Sequence, residues 1–533
     1  MRIDRLRAGI LAGVISICLS ATTATAQRST VPPMWGELQP GRFAVGFRVI
    51  YTLDRSRVWD ATPGAAEYSR PVRISIWYPV EMASVRSASP MRERGYFFRS
   101  APNAYFARLD SMIQRADIGP VRDFIFGKSD SLFGRFLAER TAAYENAEPA
   151  RGQFPLVMYS EGYNNRSHDN SVLAEFLASH GYVVATVPQV GSRSTRLVLR
   201  ITVPDLETQA RDIEFAMGES QSLPFVDRTK LAVMGYSMGG IVSLIIAARN
   251  PGVDAVIGLD PSFRAPRFVP LVVSSSWFNP RVMRAPILSL QSGHANEAGA
   301  QDSAVIDSLR FADRYVGRVD HAMHGDFSDF AMLAPLFPVD VQGRTALEAR
   351  DAHEAVALYV LNFLEGTLRH NAEALAFVRE SSEANHLRGG TVQLRLWRRV
   401  EVPGEDEFVS IIRRRGLAAA LDTLSRAKAR YPTIEIIDQP TLNRLGYGLV
   451  EATSFALAVD VFKLNAAAHP NSADAYDSLA EGLIAAGDVT QAIGAYRQLI
   501  AVLPRDPTLD EAAKASLRDA TERKIADLEK RQH

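Results

Sequence analysis

The sequence predicts an α/β domain, with a mostly parallel sheet and helices on both faces, followed by an all-α helical repeat domain. Two observations lead to this prediction. Strand-like and helix-like stretches alternate from about residue 40 to 368, and a repeat with a period of 34 residues occupies the C-terminal part. A chain of 533 residues is also longer than one ordinary hydrophobic core accommodates, so at least two domains are expected.

The alternation defines a first domain over 27–370. Short apolar runs predict strands at Phe43–Leu53, Pro71–Val80, Phe154–Tyr159, Gly181–Val187, Lys230–Met234, Asp254–Leu259, Ala285–Gln291 and Arg314–Val319. Longer stretches predict helices at Ser171–His180, Leu206–Met217, Gly240–Arg249 and Ala352–Leu368. Residues 82–150 interrupt this pattern with an aromatic, helical insertion, which either forms a lid over a site or extends the core.

The C-terminal repeat is visible as matched pairs of residues 34 positions apart. These pairs are Leu445 and Leu479, Gly448 and Gly482, Ala458 and Ala492, Phe462 and Tyr496, Ala467 and Ala501, and Pro470 and Pro504. A 34-residue period with A-x-x-x-[FY] and a closing proline is typical of tetratricopeptide repeats. We therefore predict tetratricopeptide-like repeats with a C-terminal capping helix over 410–533, after an unassigned connector at 371–409. Such repeats bind a protein or peptide partner, hold a homodimer, or pack structurally.

The N-terminus has the pattern of an export signal. Arg2, Arg5 and Arg7 precede an apolar stretch that is short for a membrane span, and small residues follow at 24–26. We predict a signal peptide over 1–26 and a periplasmic or secreted protein, with an uncleaved anchor as the alternative. The only cysteine, Cys18, lies in this segment, so the mature chain has no thiol chemistry.

Composition argues against two further classes of protein. Sixty basic residues balance sixty acidic ones, so no net charge favours nucleic acid as a partner. No later run reaches eighteen apolar residues, so no transmembrane span is expected after signal cleavage.

The most informative motif is the G-x-S-x-G pattern at 235–239. It follows the predicted strand Lys230–Met234 and precedes the predicted helix Gly240–Arg249. A strand that turns sharply into a helix presents the serine side chain, and small flanking residues are needed in so tight a turn. The pattern predicts Ser237 as a nucleophile; the alternative is a small-residue turn between two buried elements.

A serine nucleophile needs a histidine to accept its proton and an acid to orient that histidine. Asp260 follows the strand Asp254–Leu259 at the edge where such sheets form sites, although Asp-Pro also opens turns. Asp302 is the alternative acid. His321 and His324 both follow the last predicted strand, and their positions alone do not separate them.

These segments together resemble the platelet-activating factor acetylhydrolase branch of the α/β-hydrolases, close to dienelactone hydrolase-like esterases. The resemblance covers roughly 40–370. It is carried by five segments: Pro71–Pro79, Leu177–Ala185, Gly235–Gly240, Gly258-Leu259-Asp260 and His324–Phe330. It implies an α/β-hydrolase fold, with Asp260 as the acid and His324 as the base.

An oxyanion hole requires two backbone N–H donors. One should be Met238, next after the nucleophile, and the other should lie in the loop 160–164. The resemblance points to the Tyr163 N–H. The family has His-Gly in this loop, whereas this chain has Glu161, which is either a carboxylate near the leaving group or a solvated loop residue.

The expected function is an exported serine hydrolase that cleaves carboxylic esters of small-molecule or lipid-like substrates through an acyl-enzyme. No metal and no organic cofactor are expected, because the triad accounts for His321 and His324. The alternatives are an exported serine peptidase or amidase, and an inactive hydrolase-fold scaffold that binds a partner through its repeats.

Overall fold

The computed structural model describes residues 31–59, 69–191, 200–293, 302–387 and 392–532. Contacts between residues divide the chain into two compact units, Met1–Arg399 and Val400–His533. The predicted signal peptide, 1–26, and its Cys18 lie outside the described residues. Within the described ranges, no helix combines the length and apolarity needed to cross a bilayer.

The first unit is built on a ten-stranded sheet, counted over the described residues. Its strands are β1 Ala44–Val58, β2 Ser69–Val80, β3 Ala143–Glu145, β4 Phe154–Ser160, β5 Val183–Thr186, β6 Val226–Tyr236, β7 Ala255–Leu259, β8 Ile287–Ser292, β9 Arg314–Val319 and β10 Val392–Trp397. Their spatial order is β10-β9-β8-β7-β6-β4-β5-β2-β1-β3. The six strands from β5 to β9 in this order are parallel, which confirms the mostly parallel sheet.

Helices cover both faces of this sheet. They are α1 Arg94–Phe97, α2 Ala104–Pro120, α3 Asp130–Ala138, α4 Ser171–Ser179, α5 Val203–Gln221, α6 Met238–Arg249, α7 Val269–Val273, α8 Ala304–Ser308, α9 Phe330–Leu333, α10 Ala346–Leu368 and α11 Ala372–Arg379. The parallel strands β4, β5 and β7 are buried over their whole length, as expected of a sheet covered on both faces. Two hydrophobic clusters result, one on each side of the sheet.

The insertion at 82–150 contributes to the core. Phe97, Phe126 and Phe136 are buried, and their rings pack against one another and against Phe337 from outside the insertion. By contrast, Phe124 is 87% exposed and Phe98 is 40% exposed. The insertion thus extends the core on this side of the sheet, and a movable lid stays a prediction.

The stretch expected to be a connector differs from that expectation. Its first part forms α11 and β10, and β10 pairs antiparallel with β9, from Val392 opposite Val319 to Trp397 opposite Arg314. Val392 is fully buried in the core of the first unit. The described residues of 371–399 therefore belong to the sheet domain. The sequence pattern missed β10 because one short edge strand, separated from the alternating region by α11, has no periodic neighbours.

The second unit consists of helices. They are α12 Glu405–Arg415, α13 Leu417–Arg430, α14 Gln439–Glu451, α15 Phe455–Ala468, α16 Ala473–Ala485, α17 Val489–Val502 and α18 Glu511–Gln532. The helix pair α14–α15 is followed 34 residues later by α16–α17, in step with the sequence repeat. The tetratricopeptide assignment of these helices stays a prediction.

The ring of Phe462 in α15 explains why two helix positions are glycine. Phe462 is fully buried. A Cβ atom added at Gly446 in α14 would lie 2.4 Å from this ring, and one added at Gly482 in α16 would lie 2.5 Å from it. Both neighbouring helices therefore approach the aromatic ring more closely than alanine allows.

Gly482→Ala should destabilise the second unit by about 1–3 kcal/mol, because the added methyl group overpacks the Phe462 ring. Gly494→Ala in α17 is the matched control, since a Cβ atom there meets nothing within 4 Å. That control should stabilise the same unit by about 0.5–1 kcal/mol through its better helix propensity. Chemical unfolding of the full chain measures both; equal stabilities of the two variants would contradict this packing.

Candidate active site

Ser237 lies in a strained turn between β6 and α6. Its φ of 53° and ψ of −117° are rare for a residue with a side chain. The turn is compatible only with glycine on either side: a Cβ atom at Gly235 would lie 2.1 Å from the Gly239 carbonyl oxygen. A Cβ atom at Gly239 would lie equally close to the Ser160 carbonyl oxygen at the end of β4. The glycines thus let strand, turn and helix come close enough to present the hydroxyl.

The imidazole of His324 lies between a hydroxyl and a carboxylate. Its Nε2 is 2.9 Å from Ser237 Oγ, and its Nδ1 is 2.6 Å from Asp260 Oδ2. These two contacts bring together residues separated by 87 and 64 positions in the sequence. In the tautomer that donates from Nδ1 to the carboxylate, Nε2 is the atom that accepts a proton from the serine.

Asp260 follows β7 and is held by its neighbours. Its backbone has a φ of 41°, and its N–H donates to the Leu290 carbonyl at 2.7 Å. The Ser292 N–H donates to Oδ1 at 2.9 Å, which leaves Oδ2 directed to the imidazole. The carboxylate is therefore fixed by backbone groups at the end of β8.

His324 begins a 3₁₀ turn, His324–Phe327, that is tied down from two sides. Asp326 is fully buried, forms an ion pair with Arg344, and accepts a hydrogen bond from the Met323 N–H at 2.8 Å. The Tyr236 hydroxyl donates to the His324 carbonyl at 2.9 Å, and the Tyr236 ring packs against the imidazole with 4.9 Å between ring centroids. No sequence pattern indicates these roles of Arg344 and Tyr236.

Asp329 attaches the same turn to the start of α4. Its carboxyl accepts hydrogen bonds from the Ser171 hydroxyl, at 2.6 Å, and from the Val172 N–H. Burial raises the pKa of Asp329 to about 8; hydrogen bonding to Ser171 and the charge of Arg166 oppose this shift. At neutral pH the Asp329 carboxyl is thus largely protonated, and its role there is structural.

The loop after β4 lies against the first turn of α6. The Cβ position of Gly239 faces both the Ser160 and Glu161 carbonyl oxygens, at 2.1 and 2.7 Å. Among the described residues, neither the Tyr163 N–H nor the Met238 N–H donates to a protein acceptor. Both expected oxyanion donors thus belong to segments in mutual contact beside Ser237, and their role stays a prediction.

Of the two alternatives for Glu161, a solvated loop residue is wrong. Its surface is fully buried, and burial, together with the charges of Asp169 and Asp117, raises its pKa well above the usual carboxyl range. Its Oε1 accepts a hydrogen bond from the Gln189 N–H at 2.7 Å. The side chain therefore points into the protein interior and packs beneath its own loop.

The alternative residues lie apart from this arrangement. His321 is exposed, with a φ of 63°, and its carbonyl accepts a hydrogen bond from Arg344. Asp302 accepts from the Ala304 N–H at 2.7 Å, at the start of α8. Ser262, which the sequence did not single out, has its Oγ 3.4 Å from Ser237 Oγ.

Comparison with known proteins agrees with this architecture. A family model described as "Serine aminopeptidase, S33" matches residues 153–328, which run from β4 past the His324 turn. The first unit has the α/β-hydrolase fold. This fold accounts for the order serine, acid, histidine along the sequence and for their meeting at the carboxyl ends of the strands.

Individual relatives match shorter stretches. Cutinase 2 of Thermobifida cellulosilytica is 32% identical over 114 residues, which are 20% of this chain and 40% of that protein. Cutinase cut1 of Thermobifida fusca is 32% identical over 114 residues, 33% of its length. The chain thus spans well under half of these curated relatives. A solved ferulic acid esterase from Streptomyces cinnamoneus is 21% identical, with a TM-score of 0.46, covering 62% of this chain and 93% of that one.

The buried acid Asp329 predicts a pH dependence of stability. Its pKa of about 8 in the folded chain exceeds the value of about 4 that is usual for an unfolded chain. Between these values the folded state binds the proton and the unfolded state does not, so this group's contribution to stability falls as pH rises from about 4 to about 8.

Asp329→Asn should therefore make the first unit's stability fall less between pH 5 and pH 8 than it does in the wild type, because the amide does not ionise. Urea unfolding at several pH values measures the change. Asp340→Asn, at an exposed position of the same unit, is the control and should keep the wild-type slope. Parallel slopes for all three proteins would contradict the assignment.

Proposed function

We propose that the protein is an exported serine hydrolase that cleaves carboxylic esters. The observation that carries this proposal is the hydrogen-bonded chain from Ser237 through His324 to Asp260, with distances of 2.9 and 2.6 Å. The similarity to cutinases supports an ester as the substrate. The N-terminal basic and apolar pattern supports export to the periplasm or the medium.

In the proposed mechanism, His324 Nε2 accepts the proton of Ser237 Oγ as that oxygen attacks the ester carbonyl. Asp260 holds the imidazole through Nδ1 and stabilises the imidazolium that forms. The N–H groups of Tyr163 and Met238 donate hydrogen bonds to the negative oxygen of the tetrahedral intermediate.

The intermediate then collapses to an acyl-enzyme. His324 returns the proton to the leaving alcohol, which departs as the ester C–O bond breaks. A water molecule, deprotonated by His324, attacks the acyl-serine and releases the carboxylic acid, so that Ser237 regains its proton. The three side chains and one water molecule thus suffice for every proton transfer and bond change of the cycle.

A second candidate is a serine peptidase or amidase, because the matching family model is described as a serine aminopeptidase. The same three side chains can cleave an amide, since the nucleophile and the proton transfers are the same. A substrate series separates the two candidates: esters from acetate to palmitate are compared with anilides of the same acids and with aminoacyl anilides.

The C-terminal helices are proposed to be tetratricopeptide-like and to bind a peptide or protein partner or a second copy of the chain. Their 34-residue spacing supports this proposal. If the protein were instead an inactive scaffold, the wild type would fail to react with a fluorophosphonate probe, and partner binding would survive Ser237→Ala.

Removal of the proposed nucleophile or base tests the mechanism. Ser237→Ala and His324→Ala should each lower kcat for a preferred ester by roughly 10⁴–10⁶-fold. Ser237→Ala should also abolish fluorophosphonate labelling. His321→Ala is the matched control, and its kcat should stay within about twofold of the wild type, as for most surface substitutions. Near-full turnover by His324→Ala together with loss in His321→Ala would overturn the assignment of the base.

A further inference from the structure

Gln189, in the loop after β5, holds the loop after β4 by three hydrogen bonds. Its backbone N–H donates to Glu161 Oε1 at 2.7 Å, and its Nε2 donates to the Glu161 carbonyl at 3.0 Å. Its Oε1 accepts from the Asn164 N–H at 3.2 Å. The three bonds enclose the segment 161–164, which contains Tyr163. One glutamine thus fixes both ends of the segment that carries the proposed oxyanion donor.

The opposite side of the same loop packs against the turn at Ser237. The Gly239 Cβ position faces the Ser160 and Glu161 carbonyl oxygens, and the Gly162 Cβ position lies 3.0 Å from the Tyr236 ring. The loop is therefore held between the Ser237 turn on one side and Gln189 on the other. Removal of the Gln189 contacts would leave only one of these two supports.

Burial makes this support rigid. Glu161 is fully buried and Gln189 is 7% exposed. A hydrogen bond between buried groups cannot be replaced by solvent without rearrangement, so losing one moves the backbone that it holds. An oxyanion hole tolerates little movement, because a displacement of about 1 Å can lower a rate by about a hundredfold.

We propose that Gln189 and Glu161 are positioning residues that hold the Tyr163 N–H in the direction required for transition-state stabilisation. This inference rests on the proposed serine hydrolase function. The two side chains act through the backbone of 161–164 and do not touch the reacting atoms. The carboxyl of Glu161 serves as a hydrogen-bond acceptor whose charge is not needed.

The raised pKa of Glu161 agrees with this role. An ionised carboxylate under the loop would repel the developing oxyanion, whereas a neutral acid would not. Glutamine has the same shape as a neutral glutamic acid and keeps an oxygen acceptor for the Gln189 N–H. Glu161→Gln should therefore preserve the support, whereas Glu161→Met, of similar volume, should remove it.

The test compares four variants of the full chain on a preferred ester. Gln189→Met and Glu161→Met should each lower kcat by roughly 10- to 100-fold, with KM changed by less than about threefold, since a misplaced oxyanion donor weakens only the transition state. Glu161→Gln should stay within about threefold of the wild type. Gln209→Met, at another fully buried glutamine of the same unit, should match the wild type.

Affinity for a trifluoromethyl ketone, which forms a tetrahedral adduct with serine, supplies a second readout. Gln189→Met should weaken this inhibitor in proportion to its loss of kcat/KM, which a merely structural role would not do. Unchanged kcat in Gln189→Met, or a loss in Glu161→Gln as large as in Glu161→Met, would overturn the inference. If Gln189→Met fails to fold, the two Glu161 variants decide.

The outcomes for the two proposals are distinct. Absence of any ester or amide turnover by the wild type would refute the proposed function. Turnover by the wild type that Ser237→Ala abolishes and Gln189→Met leaves unchanged would refute only the role of Gln189 and Glu161.

Discussion

The strained turn at Ser237 is the constraint on which the rest of the site depends. A residue with a side chain at a φ of 53° is stable only when its surroundings impose that conformation. Here the Ser237 N–H donates to the Leu259 carbonyl, and the Ser262 N–H donates to the Ser237 carbonyl. The end of β7 thus fixes the turn, and the same strand end supplies Asp260.

Around this turn, buried polar groups connect loops that are far apart in the sequence. Asp329 joins the His324 turn to α4, Asp326 joins it to Arg344, and Gln189 joins two neighbouring strand ends. Each of these contacts is between backbone or side-chain groups shielded from water, where loss of a partner is most costly. The site is therefore positioned by polar contacts, although the hydrophobic clusters on both sides of the sheet hold the domain together.

Much of the fold could be predicted from the sequence, because alternating apolar runs reveal parallel strands and longer apolar stretches reveal helices. The strands β4 to β9 follow that pattern, whereas β3 and β10 do not. β3 has only three residues, and β10 is a single strand that follows a helix, so neither shows a recognisable periodicity. At the site, position along the chain selected Asp260 and left His321 and His324 open; the resemblance alone separated them.

The supporting residues could not be predicted in this way. Arg344, Gln189 and Tyr236 act through contacts that exist only once distant loops meet, and a single glutamine or arginine has no distinctive spacing. Glu161 illustrates the limit, since its place in a loop left open whether it is solvated or lies near the leaving group, whereas the structure buries it fully. A polar residue in a loop is either solvated or buried, and tertiary packing alone decides which.

The central claim is that three strand ends and the loop after β4 form one catalytic arrangement around Ser237. A crystal structure of the protein treated with a phosphonate ester tests it most directly. The account predicts phosphorus bonded to Ser237 Oγ, with a phosphonyl oxygen about 2.7–3.1 Å from the N–H nitrogens of Tyr163 and Met238. An adduct on another residue, or a phosphonyl oxygen directed away from both nitrogens, would contradict it.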